Sequence, residues 1–138
     1  MPKKKVFVSY DHSEDAHYKR LLQAWDANSN FDFEFDSRGP DTPIDSESGS
    51  RIKQSLTIMM KSADYLLVLV GEKTARSKWV NWEIDRATQA DVRLRLAGVK
   101  LSKFYAAPDK LLNKGCAWAT SFDRERIIDA LNNASNSY

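Results

Sequence analysis

The sequence predicts an α/β domain, with helices on both faces of a parallel five-stranded sheet. Three observations carry this. Strand-like and helix-like patterns alternate along the chain. The run Tyr65–Val70 is continuously apolar, as in a strand buried on both faces of a parallel sheet. The length, 138 residues, suits one domain spanning 1–138 and leaves no room for a second. Five strands favour the flavodoxin-like order 2-1-3-4-5, in which the first and third strands part at their carboxyl ends and open a crevice.

The first strand is Val6–Tyr10, followed by the polar turn 11–15, where Ser13 or Asp15 can cap a helix. Tyr18, Leu21, Leu22 and Trp25 make one helical stripe, which Asn28–Asn30 ends. Phe31, Phe33 and Phe35 alternate with Asp32 and Glu34, the pattern of a half-exposed edge strand. A long polar loop runs from Asp36 to about Gly49. Ser50 then caps a helix with Ile52, Leu56, Met59 and Ala63 on one stripe. After the central strand, Ser77 caps a helix that continues to about Asp91. A fourth strand falls within 92–101, and Cys116–Ala119 is a short fifth. Residues 102–115 read as irregular, with a short helix around Lys110, and Phe122–Ala134 is the closing helix.

Composition narrows the function. The 21 basic and 19 acidic side chains nearly cancel, which argues against nucleic acid or an anionic membrane as partner. Cys116 is the lone cysteine and His12 and His17 the two histidines, so a cysteine zinc cluster is excluded and metal ligands are scarce. The longest apolar run is too short to span a bilayer, and the N-terminus lacks the apolar stretch of a signal peptide. A reduced, cytoplasmic location is expected. The chain has no G-x-G-x-x-G, no Walker A and no G-x-S-x-G. Lys73-Thr74 lacks the upstream glycine of a phosphate-binding loop.

The crevice predicts where chemistry belongs: Ser9, Tyr10, Asp11 and His12 leave the first strand, and Gly71, Glu72 and Lys73 the third. The segment Ser77-Lys-Trp-Val-Asn-Trp-Glu-Ile-Asp-Arg86 is the most informative. Val80, Ile84 and Ala87 share the sheet-facing side of its helix, while Trp79, Trp82, Glu83 and Arg86 lie on a neighbouring face turned to the crevice. Apolar neighbours raise the pKa of Glu83 and the helix N-terminus lowers it. Two readings stand side by side: Glu83 is a functional carboxylate, or the tryptophans are core and Glu83 pairs with Arg86 or Lys78. Asp11 and His12 either reach a ligand or cap a turn. His17 reads as a surface residue and Cys116 as a small buried one.

Taken together, V-F-V-S-Y with D-x-S-E-D, F-x-F-E-F-D, A-D-Y-L-L-V-L-V and S-K-W-V-N-W-E-I resembles the TIR domain family. More narrowly, it resembles the TIR-like proteins of bacterial Thoeris antiphage defence. The resemblance covers roughly residues 4–90, with S-x-W-V-x-x-E-I as its most specific part. It implies that Glu83 is the catalytic glutamate of an NAD+ glycohydrolase or cyclase that makes a cyclic ADP-ribose-type messenger for a separate effector. NAD+ would be consumed as substrate, with no cofactor. Ser9, Tyr10, Asp11, Arg38, Lys73, Ser77 and Trp79 would line the substrate, Tyr10 or Trp79 by stacking and Arg38, Lys73 or Arg76 by holding phosphates. Self-association through TIR surfaces would complete the site. The loop Ser37–Ile44 is poorer in apolar residues than its counterpart in animal TIR signalling domains, which weakens adaptor-style docking more than catalysis. Two alternatives are a non-enzymatic TIR interaction module and a nucleoside deoxyribosyltransferase-like enzyme.

Overall fold

The computed structural model describes residues 3–11, 16–28, 31–36 and 44–138. Five strands, β1 (Lys4–Ser9), β2 (Phe33–Asp36), β3 (Tyr65–Val70), β4 (Arg95–Lys100) and β5 (Ala117–Ala119), form one sheet in the order β2-β1-β3-β4-β5. Every pairing is parallel. The helices are α1 (Ala16–Asp26), α2 (Gly49–Lys61), α3 (Lys78–Ala87) and α4 (Arg124–Asn133). This is the flavodoxin-like arrangement read from the sequence.

Strand alternation sorts the core into two layers. Val6, Val8 and Tyr10 point to the α1/α4 side, where they meet Leu22, Phe31, the two β2 phenylalanines Phe33 and Phe35, Tyr65 and Leu67 of β3, and Ile127 and Leu131. Phe7, Leu66, Val68 and Val70 point to the α2/α3 side and meet Leu56, Met60, Val80 and Ile84. All six residues of β3 are buried, as its unbroken apolar run requires. β2 is an edge strand with Glu34 and Asp36 exposed, and Asp26 at the end of α1 accepts the Phe35 N–H at 2.8 Å.

Several boundaries differ from the sequence reading. β1 starts two residues earlier and stops at Ser9. Leu21 is exposed, because Tyr18 and Trp25 take the inner stripe by packing on Phe122. α2 begins at Gly49, so Ser50 lies inside it. Glycine is required at this first position, because the Ile44 carbonyl crosses so closely that any Cβ at Gly49 would sit 2.2 Å from it. Ile52, Met59 and Ala63 pack against the core as half-buried residues beside the buried Leu56, and Met60, outside the expected stripe, is fully buried. α3 ends at Ala87, four residues before the expected end. The caps by Ser13 or Asp15 and residues 37–43 of the 36–49 loop lie outside the described residues.

Three of the four crossovers carry an α-helix. The fourth, between β4 and β5, carries a short 3-10 turn at Asp109–Leu111, as expected around Lys110. Leu111 and Tyr105 plug the α2/α3 layer there in place of a helix. Among the described residues, no helix is long and apolar enough to cross a membrane, and no cluster of three His, Cys, Asp or Glu side chains could hold a metal.

Candidate functional site

The site forms where β1 and α3 meet, at the carboxyl edge of the two central strands. Ser9 ends β1 and pairs in register with Val68 of β3. It shares the pleat face of Phe7, so its hydroxyl points into the α2/α3 layer. On the other side, the chain leaving β3 is pinned by Thr74, which is fully buried. Its hydroxyl donates to the Leu69 carbonyl at 3.1 Å and accepts the Gly71 N–H at 2.7 Å. Ser77 then caps α3, its Oγ accepting the Val80 N–H at 3.2 Å. The Asn81 amide fastens the same junction by donating to the Ala75 and Ser77 carbonyls at 3.0 and 2.9 Å.

These anchors fix the rotation of α3. Val80, Ile84 and Ala87 pack against the sheet, all fully buried. Glu83 is carried inside with them and keeps 2% of its surface. Its Oε1 accepts a hydrogen bond of 2.8 Å from Ser9 Oγ, which is 1% exposed. Burial pushes the Glu83 pKa from 4.5 to about 8, against the smaller lowering from the Ser9 hydroxyl. Of the two opposing influences read from the sequence, desolvation wins.

Neither cation offered to Glu83 by the sequence pairs with it. Arg86 forks onto Asp91 at 2.7 and 2.8 Å and also reaches Gln89. Lys78 bridges to Asp45 at 3.2 Å on the surface. The expectation that Glu83 looks onto an open crevice is corrected too: helix α3 rolls it beneath the layer. Trp79 is in the same layer, 8% exposed, and meets Trp82 edge to face with centroids 5.9 Å apart.

The remaining residues singled out from the sequence scatter around this centre. Tyr10 is 3% exposed and belongs to the α1/α4 core, on the opposite face of the sheet from Glu83. The structure therefore does not bring its ring to the carboxylate. Asp11 is half-buried just beyond β1. Lys73 is exposed at the start of the 3-10 turn Thr74–Arg76. Ser77 acts as a helix cap. Arg38 and His12 lie outside the described residues. Cys116 is half-buried and its thiol is pushed up to about 12 by burial, so it is no thiolate nucleophile near neutral pH. His17 is exposed.

Sequence reasoning missed Thr74 and Asn81, the two side chains that tie α3 to the end of β3. The signal was available: short polar side chains beside a strand end bond to local backbone and stop a helix pattern from starting early. With β1, β3 and α3 placed, the comparison with known families falls on the same segment. A model of the family described as Thoeris protein ThsB, TIR-like domain, matches residues 7–103, the stretch that contains Ser9 and Glu83. No curated protein matches the sequence as a relative.

Proposed function

From a chain that belongs to the family of Thoeris ThsB TIR-like domains, a membership that supports a role in antiphage defence, we propose an enzyme acting on NAD+. In this reading it breaks the nicotinamide–ribose bond and closes the ADP-ribose remainder into a cyclic messenger that a separate effector reads. The observation that carries the reading is the Glu83 carboxyl, buried at the topological switch point, held by the Ser9 hydroxyl and, among the described residues, without a counter-cation. Structural carboxylates in such layers are normally paired with a cation. An unpaired one, perturbed by burial, marks a functional site.

The chemistry asks little more. When the C1′–N bond breaks, its electron pair leaves with a pyridinium nitrogen that already carries positive charge. Nicotinamide departs neutral, so no general acid is needed, in contrast to ordinary glycoside cleavage with two carboxyl groups. The charge left on the ribose is what a carboxylate stabilises. With a pKa of about 8, Glu83 is largely protonated at neutral pH in the resting protein. A bound pyridinium favours its ionised form, so substrate binding releases a proton. At 2% exposure Glu83 cannot touch substrate until its cover opens, and self-association is the event we assign to that step. Exclusion of bulk water then favours cyclisation over hydrolysis.

The test is incubation of the full chain with NAD+, alone and with lysate from phage-infected cells, with mass analysis of the products. Free nicotinamide and a product with the mass of cyclic ADP-ribose are expected, reduced about a hundredfold or more in Glu83→Gln. Intact NAD+ in every arm, or phage protection unaffected by Glu83→Gln, would overturn the reading and favour a non-enzymatic interaction module.

A further inference from the structure

A cavity lies away from Glu83, at the carboxyl ends of β4 and β5. It measures about 460 Å³ and is lined by Lys100, Lys103, Leu112, Trp118, Ala119 and Thr120 among others. β5 is three strands from β1 in the sheet order, roughly 14 Å at ~4.8 Å per strand. The volume is in the range of small-molecule sites, about 300–1,000 Å³.

The cavity follows from the missing fourth helix. A right-handed crossover from β4 to β5 runs over the α2/α3 side of the sheet. There the chain supplies a 3-10 turn, with Leu111 and Tyr105 as its plug. The sheet beyond that plug is left to Trp118. The indole rests against β4 because its register partner is Gly98, where a Cβ would come within 2.6–3.0 Å of three ring atoms. Trp118 is nonetheless 38% exposed, and Leu112 59%. An apolar floor and an aromatic wall therefore face solvent.

The rim is cationic. Lys100 Nζ stands 5.9 Å from the Trp118 ring centroid. Lys103 lines the same cavity, its Nζ 5.3 Å from the Phe104 ring. Among the described residues, neither lysine forms an ion pair. Thr120 adds a hydroxyl on the lining. An exposed indole stacks a planar ring, and two unneutralised ammonium groups beside it attract an anion.

We propose that this cavity is a binding site for a planar aromatic ring carrying a negative charge, of the nucleoside monophosphate class, separate from the Glu83 site. The ring stacks on Trp118 and the anion meets Lys100 and Lys103. The inference does not depend on NAD+ chemistry at Glu83.

The test titrates the full chain with AMP, adenosine and inorganic phosphate, following the Trp118 indole N–H resonance by NMR. AMP is expected to move it saturably, with adenosine and phosphate each at least about tenfold weaker. Trp118→Ala, followed at the Thr120 amide, and the pair Lys100→Gln with Lys103→Gln are each expected to weaken AMP about tenfold. These side chains are exposed or half-exposed, so unchanged urea midpoints should show that the fold is kept. Gly98→Ala retains the indole but displaces it, and should weaken AMP comparably. Glu83→Gln should leave AMP binding intact, which separates this site from the one above. The proposal is overturned if AMP produces no saturable movement, if adenosine binds as well as AMP, or if the Trp118 and lysine variants bind AMP like the wild type. It is equally overturned if sedimentation shows a Trp118-dependent dimer that AMP does not affect, since a second copy would then fill the cavity.

Discussion

Replacing Glu83 by glutamine keeps the size of the side chain and its acceptor for Ser9 Oγ, and removes one ionisation. That makes the pH dependence of stability a direct measure of how deeply the carboxyl is buried. Its pKa is about 8 in the folded chain against an ordinary 4.5. Because the folded value is the higher one, the folded state holds the proton more tightly. The stabilisation is complete below about 4.5 and is lost as pH rises towards 8. At 1.36 kcal/mol per tenfold, wild-type stability should fall by about 3 kcal/mol between about pH 5 and pH 7.5 from this group alone. In Glu83→Gln that contribution is absent, while all other titrating groups remain. Urea unfolding of both proteins at four or five pH values in this range gives the comparison. The wild-type curve should descend relative to the variant, at nearly the full slope in the middle of the range. Parallel curves would mean that Glu83 is ionised in the fold at an ordinary pKa, and the argument from burial would collapse.

Three further outcomes follow from the same contacts. If turnover needs the Glu83 carboxylate, kcat/KM for NAD+ should rise with pH and level off above about 8; a flat or falling profile contradicts it. Ser9→Ala removes the hydroxyl that holds the carboxyl at 2.8 Å and lowers its pKa, so the rise should move to higher pH, with about 1–3 kcal/mol of stability lost; rescue by Ser9→Thr would confirm that the hydroxyl matters. Thr74→Val leaves the buried Gly71 N–H without its acceptor and should cost about 1–3 kcal/mol by urea unfolding, while an unchanged midpoint would mean that the turn after β3 is held by other groups.

Much of this architecture is written in local patterns. The unbroken run at β3 and the Ser77 cap each depend on a few neighbouring residues, and both stand where the sequence puts them. The strand order rests on alternation and strand count, and it also stands. The site was less legible because it joins Ser9 to Glu83 across 74 positions. Helical spacing placed Glu83 beside the buried face without saying which way α3 rolls. That roll is set by Thr74, Asn81 and the apolar trio, which act together through tertiary contacts. Tyr10 is different: strict alternation from Val6 and Val8 already puts it on the face opposite Ser9, and the pattern needed only to be counted one residue further. The need for glycine at the first position of α2 comes from a backbone crossing by Ile44, which no periodicity reports.

The fourth crossover also shapes how the chain comes apart. Between Lys100 and Ala117 the backbone has one 3-10 turn and no α-helical ladder, and it leads into a strand with three register pairs on the sheet's edge. Ordering such a stretch costs conformational entropy with few backbone hydrogen bonds to offset it. Amide exchange should therefore be faster across 101–119 than in the helix-bearing crossover between β3 and β4 and slowest in β3, with β5 opening as a unit while β1, β3 and β4 stay paired. A cavity walled by that unit can widen or close through local opening alone, leaving the paired centre of the sheet undisturbed.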